Sequence, residues 1–151
     1  MTEPFIRKSI EVEAPIETLW KVLTDSGFIK KYMFGCIAET DWKPGPPLLW
    51  RGAADGKLYV KGSVVSIDPP RRLVYTVFDP NSQEADVPSN YLTMTYALKE
   101  SIGHTSALEI TQGDFSKVAN GQKRYEDSTS GGDSMLTEIK KLAEADRQGQ
   151  P

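Results

Sequence analysis

Six runs of β-forming residues lie between Gly35 and Phe115, and no long helical stripe interrupts them. Short turn-forming segments separate most of the runs, among them Asp55-Gly56 and Asp68-Pro69-Pro70. Parallel neighbours need crossovers of a dozen or more residues, so links this short require antiparallel pairing. We therefore predict an antiparallel meander with strands at 36–42, 48–52, 57–67, 72–78, 91–99 and 105–112.

The residues before this meander predict one more strand and two short helices. In residues 5–12, mostly apolar side chains alternate with mostly polar ones, which is typical of a strand with one buried face. Pro15 suits a first helical position, and apolar residues follow it at 16, 19, 20 and 23, the spacing of an amphipathic helix. A second, shorter helix is predicted over 28–34 and ends before Gly35.

The C-terminal part of the chain predicts a longer helix. Ser130, three residues before Asp133, resembles the N-cap box that would begin it. Residues 146–151 are polar, and we expect a flexible tail there, after a single domain over residues 1–145. The apolar stripe of the helix consists of Met135, Leu136, Ile139, Leu142 and Ala143.

These elements together predict an α+β domain in which about seven antiparallel strands wrap round the C-terminal helix. Seven strands at ~4.8 Å spacing make a sheet roughly 30 Å wide, whereas one helix covers about 10 Å. The sheet must curl round the helix or leave apolar surface uncovered, so we predict a cavity between them.

Inward-facing residues of the strands and helices are the candidate ligand-binding residues. For any single aromatic residue among them, ordinary core packing is the competing interpretation. Gln112 lies on an apolar strand face, so its amide needs a hydrogen bond from protein, water or ligand. Arg124 and Tyr125 are either a gate to the cavity or part of an exposed loop. The predicted ligand-binding set is Met33, Trp50, Leu73, Tyr75, Met94, Tyr96, Gln112, Met135 and Ile139.

The composition argues against several other functions. Eighteen basic and 21 acidic side chains give a net charge of −3, which supplies no field to hold DNA or RNA. His104 falls in a predicted hairpin without an orienting partner, and Cys36 is interpreted as a small buried residue, so we predict no catalytic residue, metal or cofactor. No apolar run approaches the ~20 residues of a membrane span, and no leader pattern is present, so we expect a cytoplasmic protein.

The order and spacing of these motifs resemble the SRPBCC superfamily of START-like helix-grip proteins. The likeness is strongest to the Aha-type branch, which is related to the C-terminal domain of the activator of the heat-shock chaperone ATPase. It extends from Ile6 to about Glu144. The matching pieces are 14–20 with 23–25, Asp55-Gly56 with Gly62, 67–75, and Leu136, Ile139, Lys140 and Leu142.

The resemblance implies a helix-grip fold with a deep, mostly apolar cavity between the sheet and the C-terminal helix. Two positions depart from the family pattern. Gly132 follows Gly131 where a Gly-Trp pair usually begins the last helix, which implies a pocket mouth of different shape, and Tyr32-Met33 stands where paired aromatics are common.

Three functions remain open on this sequence. Noncatalytic binding of a small hydrophobic or amphipathic ligand ranks first, because the inward strand faces are apolar and the sheet is wider than the helix that covers it. The resemblance implies a chaperone-associated interaction module as the second. The third is a cyclase-like or hydrolase-like enzyme for a bulky apolar substrate.

Overall fold

The structure is a computed structural model that describes residues 4–149, without the side chains of residues 130–133 and 147–149. The elements in chain order are β1 (Ile6–Val12), α1 (Ile16–Thr24), α2 (Ser26–Tyr32), β2 (Cys36–Glu39), β3 (Pro47–Gly52), β4 (Leu58–Asp68), β5 (Arg72–Val77), β6 (Leu92–Ser101), β7 (Thr105–Gly113) and α3 (Gly121–Gly149), with short 3-10 turns at Pro88–Asn90 and Phe115–Lys117.

The seven strands form one open antiparallel sheet in the order β1-β7-β6-β5-β4-β3-β2. The meander from β2 to β7 is therefore confirmed, and β1 joins it beside β7, where Ile6 pairs with Gln112. Register shifts at Trp50/Arg51 and Val64/Ser66 interrupt the ladders on both sides of β4. Such bulges bend strands and increase their twist, which curves the sheet toward its helical face.

Three helices share the concave face of this sheet. The apolar stripe of α1, the inner side of α2 and the C-terminal half of α3 enter one continuous core with the inward residues of the strands. α1 ends where Asp25 caps α2, because the Asp25 carboxylate accepts a hydrogen bond of 2.9 Å from the Gly27 amide. The short helices α1 and α2 thus cover part of the sheet, whereas the comparison of widths had considered only the C-terminal helix.

The start of α3 differs from the prediction. The helix begins at Gly121, so the predicted N-cap at Ser130 is wrong, and Gly131 and Gly132 lie in the helix interior. The side chains of residues 130–133 lie outside the described part of the structure. A Cβ at Gly121 would come within 1.9 Å of the Phe115 carbonyl oxygen, so the absent side chain lets the helix begin directly on the preceding turn.

The end of α3 reaches Gly149 and takes in the first residues of the segment predicted as a tail. Lys21 on α1 forms an ion pair with Asp146 at 3.6 Å, so that part of the helix packs beside α1. Residues 150–151 lie outside the described range. Among residues 4–149, no helix combines the length and apolar character that crossing a membrane requires.

Candidate functional site

A cavity of about 590 Å³ lies between the sheet and the N-terminal half of α3. Its apolar floor comes from strands β4 to β6 and the residue after β5, namely Val60, Val77, Phe78 and Leu92. Its polar wall comes from the β5–β6 loop, from β7 and from α3. That wall consists of Asp79, Asn81, Ser82, Gln83, Glu84, Gln112, Asn120, Lys123, Arg124, Asp127 and Ser128.

Hydrogen bonds hold the β5–β6 loop over the first residue of β4. The Asp79 carboxylate accepts a bond of 2.8 Å from the Asn81 amide, and its carbonyl oxygen accepts one from the Ser82 hydroxyl, also at 2.8 Å. The Asn81 side chain donates to the Leu58 carbonyl at 2.9 Å. These contacts give the loop a defined shape, so it forms a fixed wall of the cavity.

Asn90 ties the far end of the same loop to the start of α3. Its side chain is 8% exposed, donates to the Ala85 carbonyl at 2.8 Å and accepts from the Ala119 amide at 3.0 Å. Phe115, fully buried, meets Tyr125 edge to face at 5.3 Å between ring centroids. The first turns of α3 are therefore anchored at both sides of the cavity.

The charged side chains on the cavity wall differ in whether they have hydrogen-bond partners. The Arg124 Nη1 atom is buried and has no hydrogen-bond partner among the described residues. Burial lowers the pKa of the Arg124 guanidinium, against the opposing effect of Glu84 and Asp79. Burial tends to raise the pKa of Glu84, but hydrogen bonds from its own amide, Asn120 and Ser82 outweigh it, so that pKa is lowered.

A much smaller void of about 40 Å³ lies deeper under α3. It has room for about one water molecule. It shares Gln112 and Ser128 with the large cavity, so these two residues stand between the two spaces. The rest of its lining is Ile6, Lys8, Met94, Ile110, Met135 and Leu136.

The family model for the Activator of Hsp90 ATPase homolog 1-like protein matches residues 13–144. The chain belongs to this family. The Aha-type resemblance in the sequence is thereby confirmed, and the strand, helix and sheet order confirms the helix-grip fold.

Solved structures of other proteins share the fold of this family member. A solution structure from Cytophaga hutchinsonii is 31% identical, with a TM-score of 0.72, and covers 96% of this chain and 97% of that one. A Mesorhizobium loti crystal structure is 17% identical, with a TM-score of 0.74 and coverage of 97% and 99%. An HSP90 activator from Plasmodium falciparum is 19% identical, with a TM-score of 0.62 and coverage of 82% and 86%. No curated protein sequence matches.

Three of the residues predicted to bind ligand line the smaller void in this family member. They are Met94, Gln112 and Met135, and Gln112 also lines the large cavity. No side-chain hydrogen bond of Gln112 is found among the described residues. The remaining predicted residues line neither space: Trp50, Leu73, Tyr75, Tyr96 and Ile139 are buried in the main core, and Met33 packs against it.

Buried tyrosines occupy the region that the sequence assigned to ligand. The Tyr75 and Tyr96 hydroxyls are 2.7 Å apart, and the Tyr32 hydroxyl donates to the Leu23 carbonyl at 2.7 Å. Burial raises the pKa of Tyr96 to about 12 and raises the pKa values of Tyr32 and Tyr75 well above the ordinary value. These hydroxyls stay protonated near neutral pH, and they bond to protein groups rather than facing a cavity.

Other candidate reactive groups lie apart from the large cavity. His104 is exposed in the β6–β7 turn, as the sequence predicted. Cys36 is half-buried rather than fully buried, and burial together with nearby Asp55 raises the pKa of its thiol, which favours the unreactive form. Within residues 4–149, no group of three or more histidine, cysteine, aspartate or glutamate side chains is placed to hold a metal ion.

Several cavity residues were missed at the sequence level. Lys8 lies on the same inward face of β1 as Ile6 and Ile10. The period of the strand therefore already indicated that Lys8 points inward. The polar stretch 79–90 is longer than a hairpin needs, and long ordered loops are often functional. The sequence left open whether Arg124 and Tyr125 gate the cavity or lie in an exposed loop. In the structure both lie on α3, where Arg124 is part of the cavity wall and Tyr125 packs on Phe115.

Proposed function

We propose that this protein binds a small amphipathic molecule, without transforming it, in the cavity between the sheet and the N-terminal half of α3. The observation that carries the proposal is the cavity itself. Its volume of about 590 Å³ falls within the roughly 300–1,000 Å³ of small-molecule sites. Its apolar floor and polar wall would accommodate a guest that has one apolar and one polar part.

A purely apolar guest deep under the helix is less well supported. The void there is about 40 Å³, since α1, α2 and the predicted lining residues fill that space. The large cavity lies where the N-terminal half of α3 spans the sheet, and its wall is rich in charged and amide side chains. Leaving such groups dry and unpaired against hydrocarbon would cost free energy.

The absence of catalysis in this proposal rests on the groups that face the cavity. The pKa of Glu84 is lowered, which keeps this carboxyl ionised and makes it a weak proton carrier near neutral pH. His104 is exposed at a hairpin tip, and the void beside Lys8 is too small for a substrate. No observation favours the cyclase-like or hydrolase-like alternative.

A variant that fills part of the cavity tests the proposal. Wild-type protein is titrated with a panel of small amphipathic compounds, and chemical shifts of backbone amides are followed by NMR. We expect shifts in strands β5 to β7 and the first turns of α3, and loss of binding in Val77→Trp. Val65→Trp, on an exposed position of β4, is the matched control and should bind normally. A panel without any binder, or equal binding to Val77→Trp, would contradict the proposal.

We propose interaction with the Hsp90 chaperone as a second function, supported by the family and by the fold shared with the Plasmodium falciparum activator. We place both functions in the cytoplasm, where a lone cysteine suits a reducing environment. The test is the Hsp90 ATPase rate with and without the purified protein. A rate increase that persists in Val77→Trp would separate this function from ligand binding. No change in rate and no co-precipitation would remove it.

A further inference from the structure

We propose that the ligand is an amphipathic carboxylic acid and that Arg124 binds its carboxylate. This inference rests on the proposed binding function and names the chemical class that the same cavity takes. Arg124 lines the cavity, and no hydrogen-bond partner of its buried Nη1 atom is found among the described residues.

A buried guanidinium nitrogen without an acceptor is unusual, because desolvation of a charged donor is costly unless a partner replaces water. The natural partner is a carboxylate, since the planar guanidinium fork can bind both of its oxygens. Arg124 lies on the first turn of α3 next to Lys123, which also lines the cavity. Both cationic side chains therefore face the same space.

The acidic side chains in the wall have neighbours within the protein. The Asp79 carboxylate accepts from the Asn81 amide at 2.8 Å, and despite burial the pKa of Glu84 is lowered by its own amide, Asn120 and Ser82. Asp127 has an interaction partner as well. None of these carboxylates bonds to Arg124 Nη1, so a carboxylate on the guest can supply an acceptor for the guanidinium.

The charges in the wall favour a singly charged anion over a doubly charged one. Three carboxylates and two cations line the cavity, so a dianionic phosphate would meet more repulsion than a carboxylate would. The Asp79 and Asp127 side chains are exposed, which lets water screen their charges, whereas Arg124 is only partly exposed, so its charge is screened less. An ammonium head group placed beside Arg124 would be repelled by the charges of Lys123 and Arg124.

The rest of the guest would lie on the apolar floor. Val60, Val77, Phe78 and Leu92 form a continuous surface below the charged wall. Beyond Gln112 the remaining space is only about 40 Å³, so the apolar part of the guest is short. A medium-length alkyl chain therefore serves as a probe.

The experiment compares four decyl compounds that differ only in the head group. Decanoate, methyl decanoate, decylamine and decyl phosphate are titrated calorimetrically below their micelle concentrations into wild-type protein. We expect decanoate to bind at least tenfold more tightly than each of the other three. Arg124→Gln should abolish this preference and Arg124→Lys should retain part of it. Lys141→Gln, an equal charge change at an exposed position of α3, should leave the preference intact.

The outcomes separate this inference from the proposed function. Equal binding of decanoate and its ester, tighter binding of decyl phosphate, or an undiminished preference in Arg124→Gln overturns carboxylate recognition and leaves the cavity as a binding site. Binding of a neutral compound in the earlier panel while no acid binds does the same. Failure of every compound in both experiments overturns both proposals. An NMR spectrum checks that Arg124→Gln is folded; if it is not, the wild-type comparison and Arg124→Lys decide.

Discussion

Gly62 lies where β4 passes too close to β5 for any side chain. A Cβ there would come within 1.7 Å of the Thr76 carbonyl oxygen, which belongs to the backbone and cannot rotate away. We expect Gly62→Ala to lower the free energy of unfolding by about 1–3 kcal/mol, the usual cost of forced overpacking. Urea denaturation measures it, with Ser66→Ala on the exposed face of the same strand as control. An unchanged midpoint for Gly62→Ala would contradict this close approach.

The buried tyrosines predict a loss of stability in alkali. In the unfolded chain a tyrosine titrates near pH 10, whereas burial raises the pKa of Tyr96 to about 12. Between these values the unfolded state holds fewer protons than the native state, so stability falls as pH rises. The Tyr96 contribution to this fall is on the order of 2 kcal/mol by pH 12.

Tyr96→Phe checks this assignment. The variant loses its hydroxyl and leaves Tyr75 without its partner at 2.7 Å, so its stability at pH 7 should be lower by about 1–3 kcal/mol. Its decline from pH 9 to pH 12 should be shallower than in the wild type. Denaturant titrations at several pH values measure both effects, and an equally steep decline would show that Tyr96 is not the group responsible.

The first turns of α3 form the element on which the cavity depends. Because Gly121 has no side chain, the helix can begin against the Phe115 carbonyl oxygen. The Tyr125 ring packs edge to face against the Phe115 ring. We expect Gly121→Ala to displace this end of α3 and to lower stability by about 1–3 kcal/mol. Amide chemical shifts should change around residues 88–92 and 115–128, while Gln122→Ala, at an exposed neighbouring position, should change little. Shifts spread evenly over the whole chain would argue against a local anchor.

α3 also shows which part of a helix a sequence reveals. Its C-terminal half was predicted correctly because Leu136, Ile139 and Ala143 face the core and leave an apolar stripe. Its N-terminal half faces the cavity and solvent, so Lys123 and Arg124 stand where a stripe would otherwise appear. Two adjacent glycines, each costing about 1 kcal/mol relative to alanine in a helix interior, also make a continuous helix through this segment hard to recognise. A helix that lines a polar cavity thus loses the periodicity by which it is recognised.

Across the whole molecule, topology was predictable and cavity position was not. Short links fix antiparallel neighbours, so the order of β2 to β7 follows from the spacing of turns alone. The width argument predicted a cavity between the sheet and α3, but it did not count α1 and α2, and the space beneath those helices is filled. Side chains such as Trp50 and Tyr75 fill that region, and no periodicity separates core from cavity lining on one inward face.

The continuity of the core predicts that the domain unfolds as one unit. Ile139 is fully buried and belongs to a cluster that joins all three helices to the sheet. We expect Ile139→Ala to lower the free energy of unfolding by about 2–5 kcal/mol, and Lys141→Ala on the exposed side of α3 to change it by less than about 0.5 kcal/mol. Tryptophan fluorescence reports on α1, β3 and the loop after β2, whereas far-ultraviolet circular dichroism reports on all elements. The two transitions should coincide in wild type and in both variants, because separate midpoints would mean that α3 and the sheet unfold independently.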